Sequence, residues 1–467
     1  MQYSVVNYKT VKENSDFRID ADYYHPVYLR EDYLVAKFKN IPLSEFAFIT
    51  DGQHGYHEVD ENSPISHLTA KNAKNWFADT ENADRLAKWV DDKNKRSSLK
   101  ESDIILSTRG TVGFCAMVFK DVLPANIDQD IARIAIREKL FLPEFLLAYF
   151  NSQFGQDWIE RNISGMVQQG LSLQKVRTAP IPLLSDSFQK IIQDTILKAK
   201  KNIDQSKSLY SQAEHLLLSE LELLNWKQKN ELAFVKNFSD TKDADRFDAE
   251  YFQPKYEEIV EAVKKYRGGF NTIGEQFTLS KKSFKKIDDR EYRYIEIGCV
   301  NISDGTMEAI ILQGSELPAN AKIKLQKNDV IISKVRPYRG AIGIVDNDDF
   351  VGSGAFTVLG ENGIINKETL MVFLRLKPLL DFSLKFNVGT SYPVITDEDI
   401  LNFLLPRIIP EIQNQIKEKI AEMYETKKLS KSLLEIAKCG VETAIEKDEQ
   451  EAKKWIDGEV AKLGIKI

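Results

Sequence analysis

A chain of 467 residues, 43% hydrophobic and 29% charged, has the balance of a folded globular protein and the length for about three domains. No apolar run reaches the ~18 residues of a membrane span, and the first residues lack the basic-then-apolar pattern of a secretory signal. Cys115, Cys299 and Cys439 form neither a disulfide framework nor a metal-ligand spacing, which fits a reducing cytoplasm; a net charge of −6 argues against a uniformly basic nucleic-acid binder and leaves local basic patches open.

In chain order, RIDADYYHPVY (18–28) is the first distinctive stretch, and it returns as RFDAEYFQPKY (246–256), 228 residues later. LKESDIILSTRGTVG (99–113) reads as a short strand running into a small-residue turn. LQKNDVIISKVRPYRGAIG (325–343) answers it, with Asp103 matching Asp329. Matching Arg109-Gly110 to Arg339-Gly340 gives the second copy four extra residues. GMVQQGLSLQKVRTAPIPLLSDSFQKII (165–192) then answers GTSYPVITDEDILNFLLPRIIPEIQNQI (389–416), pairing Gly165 with Gly389, Pro182 with Pro406 and Gln189 with Gln413 at a spacing of 224. Three matches in one order define a tandem duplication.

Each copy begins with a mixed α/β (α+β) part, in which DIILS, ARIAI, RYIEIG, DVIISK and AIGIV are short β-branched strand signals. A long helix follows. Over 188–225, Ile192, Ile196, Ala199, Ile203, Ser206, Tyr210, Ala213 and Leu217 alternate steps of four and three, a heptad seam on a rod of roughly 57 Å. Ile412, Ile416, Ile420, Met423, Leu433, Ala437 and Val441 trace a similar stripe over 411–446. A narrow seam needs a partner helix. The expected fold is therefore a pseudo-twofold repeat: domains at 1–185 and 233–410, separated by helices in 186–232 and 411–467 that pair as an antiparallel coiled-coil spacer.

This arrangement resembles the specificity subunit of type I restriction–modification systems. R-x-D-A-x-Y-[YF]-x-P at Arg18–Pro26 and Arg246–Pro254 is similar to the segment that opens each target-recognition domain of that family. Gly165–Leu183 followed by Gln189 is similar to the end of such a domain. The family's acid before that glutamine is replaced here by Phe188 and Ile412. The resemblance implies a non-catalytic cytoplasmic subunit whose two domains each read half of a bipartite site on double-stranded DNA. Its helices would set the unread gap and dock two methyltransferase subunits, which restriction/translocase subunits join. No cofactor is implied for this chain; S-adenosylmethionine, ATP and Mg would belong to the partners.

The residues agree on chemistry. No Asn/Asp-Pro-Pro-Tyr/Phe tetrapeptide, Gly-rich cofactor turn or P-loop is present, so a self-contained methyltransferase or nuclease is disfavoured. His54 and His57 lack a third metal ligand nearby. A purely structural coiled-coil adaptor stays open as an alternative.

Candidate DNA contacts carry the donors that phosphates and base edges require. They are Lys71, Asn72 and Lys74; Thr108 and Arg109; Gln168 and Gln169; Lys281, Lys282, Lys285 and Lys286; and Lys334, Arg336, Tyr338 and Arg339. Arg18 and Arg246, with Asp20 and Asp248, recur unchanged in both copies. Residues common to two different readers cannot encode their difference, so a structural role is expected, fixing each domain's start against its helix.

Overall fold

Ile104–Ser107 and Val330–Ser333 are each buried at every residue, because apolar side chains meet both faces of these strands. The structure, a computed structural model, describes residues 4–13, 18–165, 170–227, 229–280, 282–387 and 392–466. Contacts divide it into two units, one comprising Met1–Ile203 with Lys428–Ile467, the other Asp204–Lys427.

In the first unit an antiparallel sheet runs in the order Ala47–Asp51, Ile131–Ile136, Ile104–Ser107, Cys115–Met117. A second sheet pairs Ser66–Leu68 with Asp84–Arg85 on one side and, in parallel, with Ala125–Ile127 on the other. The helices Pro143–Asn151 and Gln153–Asn162 follow, with Phe145–Phe150 wholly buried. The pair Ile41 and Ile181 then closes the domain ahead of the first long helix.

The second unit repeats this plan. Its first sheet runs Phe277–Leu279, Phe356–Glu361, Val330–Ser333, Ile342–Ile344. Its mixed sheet runs Ile310–Gln313, Glu291–Ile295, Phe350–Ser353, Ala321–Lys324, and Asn271 pairs with Leu405 where Ile41 paired with Ile181.

The long helices are Asp186–Glu220 and Pro410–Glu446. In the first unit Ser430 Oγ donates to the Ala199 carbonyl at 2.8 Å, and Ile192 lies beside Gly440. In the second, Gln205 Nε2 donates to Glu422 Oε1 at 3.0 Å and Lys419 Nζ to Gln212 Oε1 at 2.8 Å. Numbering falls along one helix as it rises along the other, so the pairing within each unit is antiparallel. Ile192, Ile196, Tyr210, Leu217, Ile416, Ile420, Met423, Leu433 and Val441 are buried, and Ile203 is half-buried.

Three details differ from expectation. The helices are not separate domains; each buries the apolar seam of one half in one unit's core and of the other half in the other's. The first helix stops at Glu220 rather than near 225, because Glu222 turns left-handed (φ 58°) and the Leu223 amide reaches back to the Leu218 carbonyl at 2.8 Å. The tail forms its own helix, Glu449–Lys462, started by Asp448 accepting from the Gln450 and Glu451 amides. Its Ile456 sits so close to Gly440 that a Cβ there would lie 2.7 Å away.

The duplication extends to single hydrogen bonds. Gln189 Oε1 accepts from the Leu142 amide at 2.9 Å, and its Nε2 donates to the carbonyls of Leu140 and Leu184. Gln413 does the same with Asn366, Ile364 and Ile408. Both glutamines are buried, so each satisfies three main-chain groups that would otherwise be stranded. Arg18 and Arg246 each place Nε 2.6 Å from Asp20 and Asp248, and the two acids accept from the Tyr23 and Tyr251 amides. The guanidinium groups lie over those tyrosine rings and donate to the carbonyls of Arg161 and Asn387. The structural role holds, but the anchor is the helical segment after the sheets, not the long helix.

Candidate nucleic-acid interface

In both units the loop after the central strand pairs with the segment that leads into the last short helix of the domain. Arg109 bridges Gly170 and the Leu171 amide donates to the Thr108 carbonyl at 2.8 Å. Val335 bridges Val394 and the Ile395 amide donates to the Lys334 carbonyl at 3.0 Å. Thr108 thus corresponds to Lys334, and Arg109 to Val335. Gly110 and Arg336 follow, both left-handed, and Gly113 and Gly340 take the second left-handed position. This corrects the sequence match of Arg109-Gly110 with Arg339-Gly340. Between Ser107 and Cys115 lie seven residues, and between Ser333 and Ile342 eight, so the second loop is longer by one residue and not four. The Arg-Gly dipeptides coincide in letters, while strand pairing and φ set the true register.

The candidate residues separate by exposure. Lys71 and Lys74 are exposed on the turn at Ala70–Ala73. Asn72 is buried: its Oδ1 accepts from the Thr69 amide and its Nδ2 donates to Asp79 and to the Glu81 carbonyl. It holds the turn that displays the two lysines, which corrects its reading as a contact residue. Thr108 is also buried, its Oγ1 donating to the Asp130 carbonyl at 3.0 Å, and it too is structural. Arg109 is exposed, with Nη1 3.9 Å from Asp130. Lys334 is ion-paired with Asp397 at 3.2 Å. Arg336 and Tyr338 are half-buried and Arg339 is exposed. Gln168, Gln169 and Lys281 lie outside the described residues.

From Lys282 the basic stretch runs antiparallel beside Ala321–Lys324 through an isolated bridge. Ser283 bridges Ile323, Phe284 donates to the Lys322 carbonyl and Lys324 to the Lys282 carbonyl. Lys282 therefore stands opposite Lys324, and Phe284 opposite Lys322, on one face. Phe284 packs edge-on to Tyr292 at 5.0 Å. Lys285 is exposed, while Lys286 reaches Asp288 and the Gly314 carbonyl. Sequence reasoning missed Lys322 and Lys324, although the alternation in AKIK already placed both on one face. Like charges directly opposed on neighbouring strands repel, and Lys282 Nζ donates to Gln326 Oε1.

Arg375 was also missed. This buried arginine donates Nη1 to the carbonyls of Gly340 and Ile342, Nη2 to the Ile302 carbonyl and Nε to Tyr210 Oη at 2.6 Å. It fastens the second unit's loop to the long helix. At the same place in the first unit Asn151 Nδ2 donates to the Cys115 carbonyl at 3.1 Å and to the Leu147 carbonyl of its own helix at 2.9 Å.

His54 is engaged by Asp51 at 2.7 Å. His57 lies against buried His67, whose imidazole is held down at about 4 by burial. Among the described residues no cluster of three or more His, Cys, Asp or Glu side chains is placed to hold a metal, and no helix is long and apolar enough to cross a membrane.

No protein-family model matches the chain. A stretch of 101 residues, 22% of the chain, is 29% identical to the type I restriction enzyme EcoBI specificity subunit of Escherichia coli; the match spans 21% of that relative. Among solved structures, the chain is similar to the type I restriction–modification S subunit from M. genitalium (13% identity, 87% of this chain and 95% of that one, TM-score 0.41). It is likewise similar to the HsdS subunit from Thermoanaerobacter tengcongensis (15% identity, 88% and 97%, TM-score 0.28).

Proposed function

We propose that the chain is the non-catalytic DNA-recognition subunit of a type I restriction–modification complex. Each unit reads one half of a bipartite, asymmetric site on double-stranded DNA, and the length of the long helices sets the number of unread base pairs. The observation that carries this reading is the duplicated loop framework: both units present the same strand-to-loop pairing but different side chains at the loop tips. That is what two readers of different half-sites require. The partial likeness to a specificity subunit supports the same reading.

The partners are two methyltransferase subunits docked on the helices, joined by restriction/translocase subunits. S-adenosylmethionine, ATP and Mg are used by those partners, and the complex works in the cytoplasm. Methylome sequencing of a host with and without this gene tests the proposal. A two-part adenine or cytosine motif that disappears with the gene is the expected result, and an unchanged methylome refutes it.

A further inference from the structure

Arg336 occupies a backbone position that the duplication elsewhere gives to glycine. Gly110, its counterpart in strand register, has φ 70°; Arg336 has φ 49° and ψ 53°. A side chain there is disfavoured by contact of Cβ with the backbone. The following Pro337 adds to this, since a residue before proline is pushed toward extended conformations. Such a residue persists only when its surroundings hold it. They do: the Arg336 amide donates to the Pro393 carbonyl at 2.8 Å, and Val335 bridges Val394.

The same pairing brings up Tyr392, 68% exposed, beneath the guanidinium, whose carbon lies 5.1 Å from the ring centroid. Tyr392 falls where the repeat has Gln168 in the first copy. Both members of this stack are therefore changed between the copies, on a framework that is not.

We infer that Arg336, steadied on Tyr392, is a specificity-determining residue of the second unit and reads the edge of a guanine. A guanidinium is a planar fork of donors, the geometry that matches O6 and N7 of guanine in the major groove, and an aromatic ring beneath it limits the side chain's freedom. Glycine at the corresponding place gives the first unit no such reader. The inference rests on the proposed function and goes further, naming the residue and the base it contacts.

The test uses the full chain expressed with its partner methyltransferase, and methylome sequencing of the parent and of Arg336→Gly, Arg336→Lys and Tyr392→Ala. Glycine suits the left-handed backbone, and Tyr392 is exposed, so neither change removes core packing. In Arg336→Gly, one guanine position in one half of the motif should relax, with discrimination there falling roughly tenfold or more, while the other half stays as in the parent. Arg336→Lys keeps the charge and loses the fork, so it should relax the same position; Tyr392→Ala should do so more weakly. The melting temperature of Arg336→Gly should be no lower than the parent's. A parent that directs no bipartite methylation refutes the proposed function itself. A parent motif that all three variants reproduce unchanged, or weaken evenly in both halves, overturns the role of Arg336.

Discussion

Tyr210 of the first long helix accepts a hydrogen bond from Arg375 Nε at 2.6 Å, and Arg375 also holds the Gly340 and Ile342 carbonyls of the loop. Tyr210 is hydrogen-bonded in turn to Glu214, whose carboxyl burial shifts upward. Burial pushes the Tyr210 phenol up to about 12, so it stays protonated and able to donate. Tyr210→Phe keeps the ring and removes both hydrogen bonds. Hydrogen bonds to charged groups contribute about 1.5–3 kcal/mol, so the second unit should lose stability on that order. Its loop should also lose amide protection. Urea unfolding with hydrogen exchange at 336–344 checks this; unaltered protection of the loop would show that Arg375 holds it without Tyr210.

Arg133 and Asp103 form a buried pair at 2.7 Å, with side chains 7% and 6% exposed. Removing one partner strands the other charge in the core at a cost of about 3–5 kcal/mol. Arg133→Ala should therefore destabilise the first unit by about that amount, and Arg133→Met with Asp103→Leu should recover most of it. The second unit has Val358 in the register of Arg133, beside Asp329, whose carboxyl burial shifts upward. Calorimetry of the single and double variants decides the matter, the double variant melting well above the single one.

Glu31 shares a hydrogen bond with Asp157, and burial first, then that neighbour, pushes its carboxyl up to about 8. The folded chain keeps a proton there after the unfolded chain has released it, from about pH 4.5 upward. Glu31's contribution is thus most favourable below that range and is progressively lost as pH rises toward about 8. Glu31→Gln should raise the melting temperature near pH 8 and change it little near pH 5. Melting curves across this range measure the effect, and a variant-to-parent difference independent of pH would contradict it.

Lys282, Lys322 and Lys324 form a charged face suited to phosphate. Replacing any one with alanine should weaken binding to all DNA sequences alike and reduce the salt dependence of affinity by about one ion. Affinities measured against salt for a site-bearing and a site-free duplex test this. A loss confined to the site-bearing duplex would assign these lysines to base reading instead.

The helix lead-ins were legible because both copies keep the same spacing through them, even though two of each glutamine's three partners lie 47 and 49 residues away. Gln189 and Gln413 carry the same side chain at the same distance from the same main-chain partners, and the heptad seams follow from spacing alone. Within the entrance motifs the bonds of Arg18 to Asp20 and Arg246 to Asp248 are local and legible, whereas the anchoring carbonyls of Arg161 and Asn387 lie 143 and 141 residues away. The reading loops were not legible, since their register comes from strands and segments distant in the chain. Pairing of residues 335 and 394 and two left-handed positions placed Arg336 against Gly110, where the letters had matched Arg339-Gly340 to Arg109-Gly110. Burial likewise decided that Asn72 holds its turn, and cross-strand pairing brought Lys322 and Lys324 beside Lys282. Periodicity and local hydrogen bonding are written residue by residue, whereas exposure and neighbourhood arise only when separate segments pack.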